Sequence, residues 1–217
     1  MRRAIRTLVV LVLLAGGLLV AAPPAQALLF DLTSNHCSDA AGCGAPGTIF
    51  GTVDVEQNGA NVDVTVHLNS PYAFAKTGSA DNQAFKFNAT GVVLGDITVN
   101  QTVPGQTLAP QTGAFNGDGT GTFVFGIACV TCGGGLSNGF TNDIVFHVAS
   151  ATIADITAAN GNGNVFVADI GNTTNGATGP IDASTPHQNV PEPATIAFLG
   201  TGLVALGVAL RRRRVQG

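Results

Sequence analysis

Residues 49–68 read Ile49-Phe50-Gly51-Thr52-Val53-Asp54-Val55-Glu56-Gln57-Asn58-Gly59-Ala60-Asn61-Val62-Asp63-Val64-Thr65-Val66-His67-Leu68. Apolar and polar residues alternate on both sides of Asn58-Gly59, the strongest short signal for a β-hairpin turn. A two-residue turn there pairs Gln57 with Ala60, Val55 with Val62 and Val53 with Val64, so one face is apolar along its length. The other face sets Glu56 opposite Asn61, Asp54 opposite Asp63, Thr52 opposite Thr65 and Phe50 opposite His67. A one-residue slip would mix the two faces, which fixes which residues point inward. Like charges directly opposed are unfavourable, so Asp54, Asp63 and neighbouring Glu56 invite a calcium ion. Solvated surface is the commoner arrangement, and no metal is assigned.

Outward from this hairpin the chain keeps the same character. Short runs rich in Val, Thr, Phe and Ile are punctuated by Gly, Asn and Asp, and no stretch holds a helical period. Strands are expected near 47–56, 61–69, 83–89, 91–102, 120–129, 141–150, 151–157 and 163–170. Phe123, Phe125 and Ile127, and later Ile144, Phe146 and Val148, sit in runs apolar on both faces, as in central strands. The fold class is therefore all-β, an antiparallel β-sandwich of Ig-like or jelly-roll-like kind, in one exported domain over 28–170. Residues 171–189 are rich in Gly, Asn, Thr and Pro, with Ile181 the one strongly apolar side chain. That composition predicts a flexible linker.

Both ends carry targeting features. Met1-Arg2-Arg3-Ala4-Ile5-Arg6 is a basic start, Leu8 to Val20 an apolar core and Ala25-Gln26-Ala27 a small-x-small cleavage site, so residues 1–27 are expected as a secretory signal peptide. At the other end, 190–193 read Val190-Pro191-Glu192-Pro193, 194–210 are uncharged and apolar or small, and Arg211, Arg212, Arg213 and Arg214 follow. As a helix, 194–210 would be about 25 Å long, enough to cross a thin bilayer with the arginines held in the cytoplasm. An ordinary single-pass anchor would share the apolar run and the arginines.

The combination of tripeptide, short span and terminal arginines over Val190 to Arg214 resembles the PEP-CTERM sorting signal of Gram-negative bacteria. The resemblance implies a partner, a membrane-embedded cysteine transpeptidase called exosortase. It would recognise Pro191, Glu192 and Pro193 and cut near them. The implied localisation is an exported, inner-membrane-anchored precursor released to the cell surface or extracellular matrix.

Between the two ends stand two lysines, Lys76 and Lys86, against twelve acids, a net charge of −10. Such a domain excludes nucleic acid and anionic lipid as partners bound through phosphates. In an exported protein Cys37, Cys43, Cys129 and Cys132 are disulfide candidates by default. Two local bridges are favoured, bridges between the two loops come next, and zinc held by all four thiolates ranks below both. A redox role for Cys129-Val130-Thr131-Cys132 would need a helix start, which Gly133-Gly134-Gly135 does not favour.

No constellation for catalysis emerges. Gly135-Leu136-Ser137-Asn138-Gly139 matches G-x-S-x-G, but strand-like sequence follows where an elbow needs a helix. The loop from Asn116 to Gly121 has Ile127 where a calcium loop has its glutamate. His36, His67, His147 and His187 lie far apart with no acid at a telling spacing. The expectation is a non-enzymatic surface or matrix protein without a cofactor. The alternatives are a carbohydrate-binding module, with extracellular polysaccharide as partner, and a secreted hydrolase resting on Ser137. Sugar platforms stack on Trp or Tyr, and the chain has no Trp and one Tyr, Tyr72.

Overall fold

The computed structural model describes residues 26–37, 42–77 and 82–189. Those residues form two antiparallel sheets. The first has six strands in the order β14-β1-β3-β4-β11-β7, where β1 is Ala27–Leu32, β3 Gly51–Asn58, β4 Asn61–Leu68, β7 Ile97–Asn100, β11 Ile144–Val148 and β14 Pro186–Asn189. The second runs β10-β5-β12-β6-β9-β8, with β5 at Tyr72–Lys76, β6 Gln83–Phe87, β8 Leu108–Asn116, β9 Thr122–Cys129, β10 Gly135–Phe140 and β12 Phe166–Asn172. On it also lie β2 (Ser34–Asn35) and β13 (Thr178–Ala183), the latter paired with β12. Among the described residues the α-helix is a single turn, α1, at Ile153–Ile156.

Alternation explains why the sheets meet. Val53 and Val55 on β3, Val62, Val64, Val66 and Leu68 on β4, and Ile144, Phe146 and Val148 on β11 are all buried, while the residues between them are not. From the second sheet Phe85, Phe87, Ile127 and Phe166 supply the matching face. Phe30 of β1 meets Phe166 edge-on at 5.0 Å, and Phe146 of β11 lies 5.2 Å from Phe87 and 6.0 Å from Phe85. These ring pairs join the two sheets through one apolar core, each contributing beyond simple area burial.

Strand β12 is the hinge of the second sheet's layout. Along one edge it pairs with β13 from Phe166↔Ala183 to Gly171↔Thr178. Along the other it pairs first with β6, Phe166↔Phe87 to Ala168↔Phe85, and then with β5, Ile170↔Phe74 to Asn172↔Tyr72. β5 and β6 therefore lie end to end on a single partner. That arrangement leaves all seven residues of β12 buried.

Several expectations are corrected. The hairpin forms, but Asn58 faces Asn61, Glu56 faces Asp63 and Asp54 faces Thr65, with Gly59-Ala60 at the turn. The register is thus two residues away from the expected one, an even shift that leaves every side chain on its expected face. Gly59 has φ +63°, and Gln57 ties the turn down by donating to the carbonyls of Gly59, Asn61 and Ala151. Residues 151–157, expected as strand, hold α1. Thr152 caps it with a reciprocal Asp155 pair, a local signal stronger than the short apolar run. The stretch 171–189, expected as a flexible linker, carries the end of β12 with β13 and β14. Backbone pairing there does not need an apolar sequence, because β13 finds its place by bonding to β12. The expected strand at 91–102 shrinks to β7 behind a 3₁₀ turn at Leu94–Asp96. Residues 1–25 of the expected signal peptide, the tripeptide Pro191-Glu192-Pro193, the expected transmembrane helix and the arginine cluster lie outside the described residues, whereas Ala27, expected as the last residue of the signal peptide, begins β1 and pairs with Glu56. Among the described residues no helix is long and apolar enough to cross a membrane.

Candidate functional site

The geometry bearing most directly on the C-terminal tripeptide is the edge of the first sheet. Among the described residues β14 is its outermost strand and has one neighbour, β1, with Leu28↔Asn189, Leu29↔Gln188 and Phe30↔Pro186 as partners. The register slips between Leu29 and Phe30, and Pro186 brings no N–H to the ladder. β1 is far better held, pairing with β3 from Ala27↔Glu56 to Leu32↔Gly51. The last described residue, Asn189, is thus a paired strand residue two positions before Pro191.

Histidines that look solitary in the sequence acquire acids in space. His67 Nδ1 and Asp143 Oδ1 lie 2.7 Å apart, joining the end of β4 to the approach to β11. Beside them opens a cleft of about 390 Å³ lined by His67, Asn69, Ser70, Tyr72, Thr141 and Thr173 among others. Tyr72, the one Tyr of the chain, is buried with its ring 5.0 Å from that of Phe50. His36 Nε2 stands 3.2 Å from Asp182 Oδ2 and 2.9 Å from Ser34 Oγ. His147 sits on β11 with Asp63 and Thr98 as cross-strand neighbours, and His187 is on β14. The partner of His67 is 76 residues away, so only the folded register brings the two together.

The cysteines pair locally. Cys37 is joined to Cys43 and Cys129 to Cys132, with Cα–Cα separations of 5.5 and 5.4 Å. Ser137 lies exposed inside β10, with strand on both sides of it. The Asn116–Gly121 loop is a tight turn between β8 and β9. Thr120 Oγ1 donates to the Gly117 carbonyl, and Asn160 and Asn164 donate to the Thr120 carbonyl. Among the described residues no group of three or more His, Cys, Asp or Glu side chains is placed to hold a metal ion, and Asp54 does not face Asp63.

One feature was missed in the sequence: Lys86 of β6 and Asp169 of β12 form a buried ion pair. The available signal was a charge at the centre of an apolar strand, Lys86 between Phe85 and Phe87, and Asp169 between Ala168 and Ile170. A charge so placed is tolerated only when another answers it.

No curated protein and no solved structure matches the chain. A family-model match begins where β14 ends and covers Pro191, Glu192, Pro193 and Arg211 to Arg214. It is to the family model of the PEP-CTERM protein-sorting motif, over residues 189–214, and the chain therefore carries that sorting motif.

Proposed function

We propose that the chain is an exported precursor sorted through its C-terminal motif and cleaved by an exosortase, after which the β-domain serves as a non-enzymatic protein of the cell surface or extracellular matrix. The observation that carries this reading is the sorting-motif match at 189–214. In it Pro191-Glu192-Pro193 is the recognised element, 194–210 the membrane anchor of the precursor, and Arg211 to Arg214 the cytoplasmic stop. Residues 1–27 act as the export signal. The two facing sheets support a β-sandwich, and the disulfides Cys37–Cys43 and Cys129–Cys132 suit an oxidising compartment. A net charge of −10 keeps such a domain soluble among polysaccharides.

Mass spectrometry of the C-terminus of protein recovered from the cell surface tests the reading. A new terminus near Pro193 is expected, and scrambling Pro191-Glu192-Pro193 should retain the full chain in the membrane. An intact Arg214 on surface protein, or release untouched by scrambling, would overturn it.

A second reading, carbohydrate binding, draws on the hydroxyl-lined cleft beside His67 and Asp143. Burial of Tyr72 removes the side chain best suited to stack on a sugar, so this reading ranks second. Selective retention on a glycan array, lost in Thr141→Ala and Thr173→Ala variants, would reverse the order.

A further inference from the structure

The sorting motif begins on a residue that is already part of a sheet. Asn189 is both the first residue of the match and the partner of Leu28. With β14 docked, Glu192 is three residues from the folded sheet, a reach of at most about 11 Å even for fully extended chain. The apolar run starts at Ala194, five residues on, within about 18 Å of Asn189. Headgroups occupy about 5–7 Å of that on each side of a bilayer. A membrane-embedded protease must seat several extended residues around the bond it cuts. A docked β14 commits the backbone just before Val190 to β1 instead.

The same strand is the one best suited to let go. It is four residues long, it has a single neighbour among the described residues, its register slips between Leu29 and Phe30, and it starts on a proline. Edge strands of this kind open at far lower free energy than the core. Once β14 leaves β1, the free tether runs from Ala183 at the end of β13. Nine residues then separate the sheet from Glu192, a reach of about 32 Å.

We propose that the β1–β14 pairing gates C-terminal processing, so that exosortase cleaves only chains in which β14 has detached from β1. This rests on the sorting reading above and adds its regulation. Processing then follows the open population of one edge strand. Any contact that strengthens β1–β14 delays release of the domain, and any that weakens it hastens release.

The test uses the full-length precursor in membranes that contain the exosortase. Leu29→Cys with Gln188→Cys places two thiols on directly opposed residues of the pair, within disulfide reach for antiparallel neighbours. Asp54→Cys with Thr65→Cys makes an equivalent cross-link between β3 and β4 as the control. Cleavage of the β1–β14 cross-linked chain should slow by about tenfold or more while the control is processed at the parental rate. Insertion of a ten-residue Gly/Ser tether between Asn189 and Val190 should restore cleavage of the cross-linked chain. A variant with Pro186-His187-Gln188 replaced by Gly-Ser-Gly, which needs no cross-link, should be processed several-fold faster than the parent. Parental rates in the cross-linked chain, or in this last variant, would overturn the gate. If scrambling Pro191-Glu192-Pro193 still blocks processing, the sorting reading survives that failure; if scrambling has no effect, that reading falls instead.

Discussion

Lys86 Nζ lies 2.9 Å from Asp169 Oδ2 with both side chains almost wholly removed from solvent, on the two adjacent central strands β6 and β12. Phe85 and Phe87 point into the shared core, so alternation puts Lys86 on the opposite face of the second sheet. A buried pair returns little net stability over an apolar substitute, but removing one partner leaves a charge in a low-dielectric site. Lys86→Met alone should therefore destabilise the domain by about 3–5 kcal/mol in urea unfolding. Lys86→Met combined with Asp169→Leu should recover most of that loss. A single-variant loss below about 1 kcal/mol would place the pair in contact with water, against the burial observed.

The two disulfides close short loops, spanning sequence separations of 6 and 3 residues. Loop-closure entropy assigns about 2 kcal/mol to each, the longer loop slightly more. Replacing Cys129 and Cys132 by Ala should lower stability by about that amount without changing the fold, read as a shifted unfolding midpoint at constant m-value. Peptide mapping without reductant should recover Cys37 with Cys43 and Cys129 with Cys132. A bridge between the two loops would contradict the structure.

Asp155 receives hydrogen bonds that favour its charged form. Thr152 donates through its hydroxyl at 2.7 Å and through its backbone N–H at 2.8 Å, and these hold the carboxyl below its ordinary 3.8. A depressed folded value means the capping contribution is complete above about pH 4 and is lost as pH falls through the folded midpoint. An NMR titration should find Asp155 midway below 3.8, and Thr152→Ala should move it back upward. An unchanged midpoint in Thr152→Ala would show that the hydroxyl is not its main partner.

Legibility followed the range of the interactions. Face assignment on β3 and β4 was readable because alternation is local and burial enforces it, whereas β9 and β11 read as apolar on both faces, and on β11 Val145 and His147 are only partly buried. The local cysteine pairs were readable for the same reason, their partners being a few residues apart. β13 and β14 were invisible because Gly, Pro and Thr carry no apolar pattern, and their positions are set by β12 and β1, distant in the chain. α1 was lost to a short apolar run at Ala151, Ile153 and Ile156, although Thr152 and Asp155 stood at capping-box spacing. His67 and Asp143, like Lys86 and Asp169, meet through register alone. The sorting motif was legible for the opposite reason: its physics is all in one contiguous stretch.

The hairpin register gives a last prediction that separates two structures differing by two residues. With Gly59-Ala60 at the turn, Glu56 and Asp63 are directly opposed, and Asp54 faces Thr65. Asn58 Nδ2 donates to Asp63 Oδ2 at 2.8 Å, offsetting part of the repulsion without removing it. Glu56→Lys converts a like-charge pair into an opposite-charge pair and should raise stability by about 0.5–1 kcal/mol at low salt, fading as salt screens the pair. Asp54→Lys meets a hydroxyl on that neighbour and should gain less. The register expected from Asn58-Gly59 as the turn would reverse the order, because there Asp54 opposes Asp63 and Glu56 opposes Asn61. Chemical denaturation of the two variants side by side therefore reads the register directly, and a larger gain from Asp54→Lys would sink the pairing seen here.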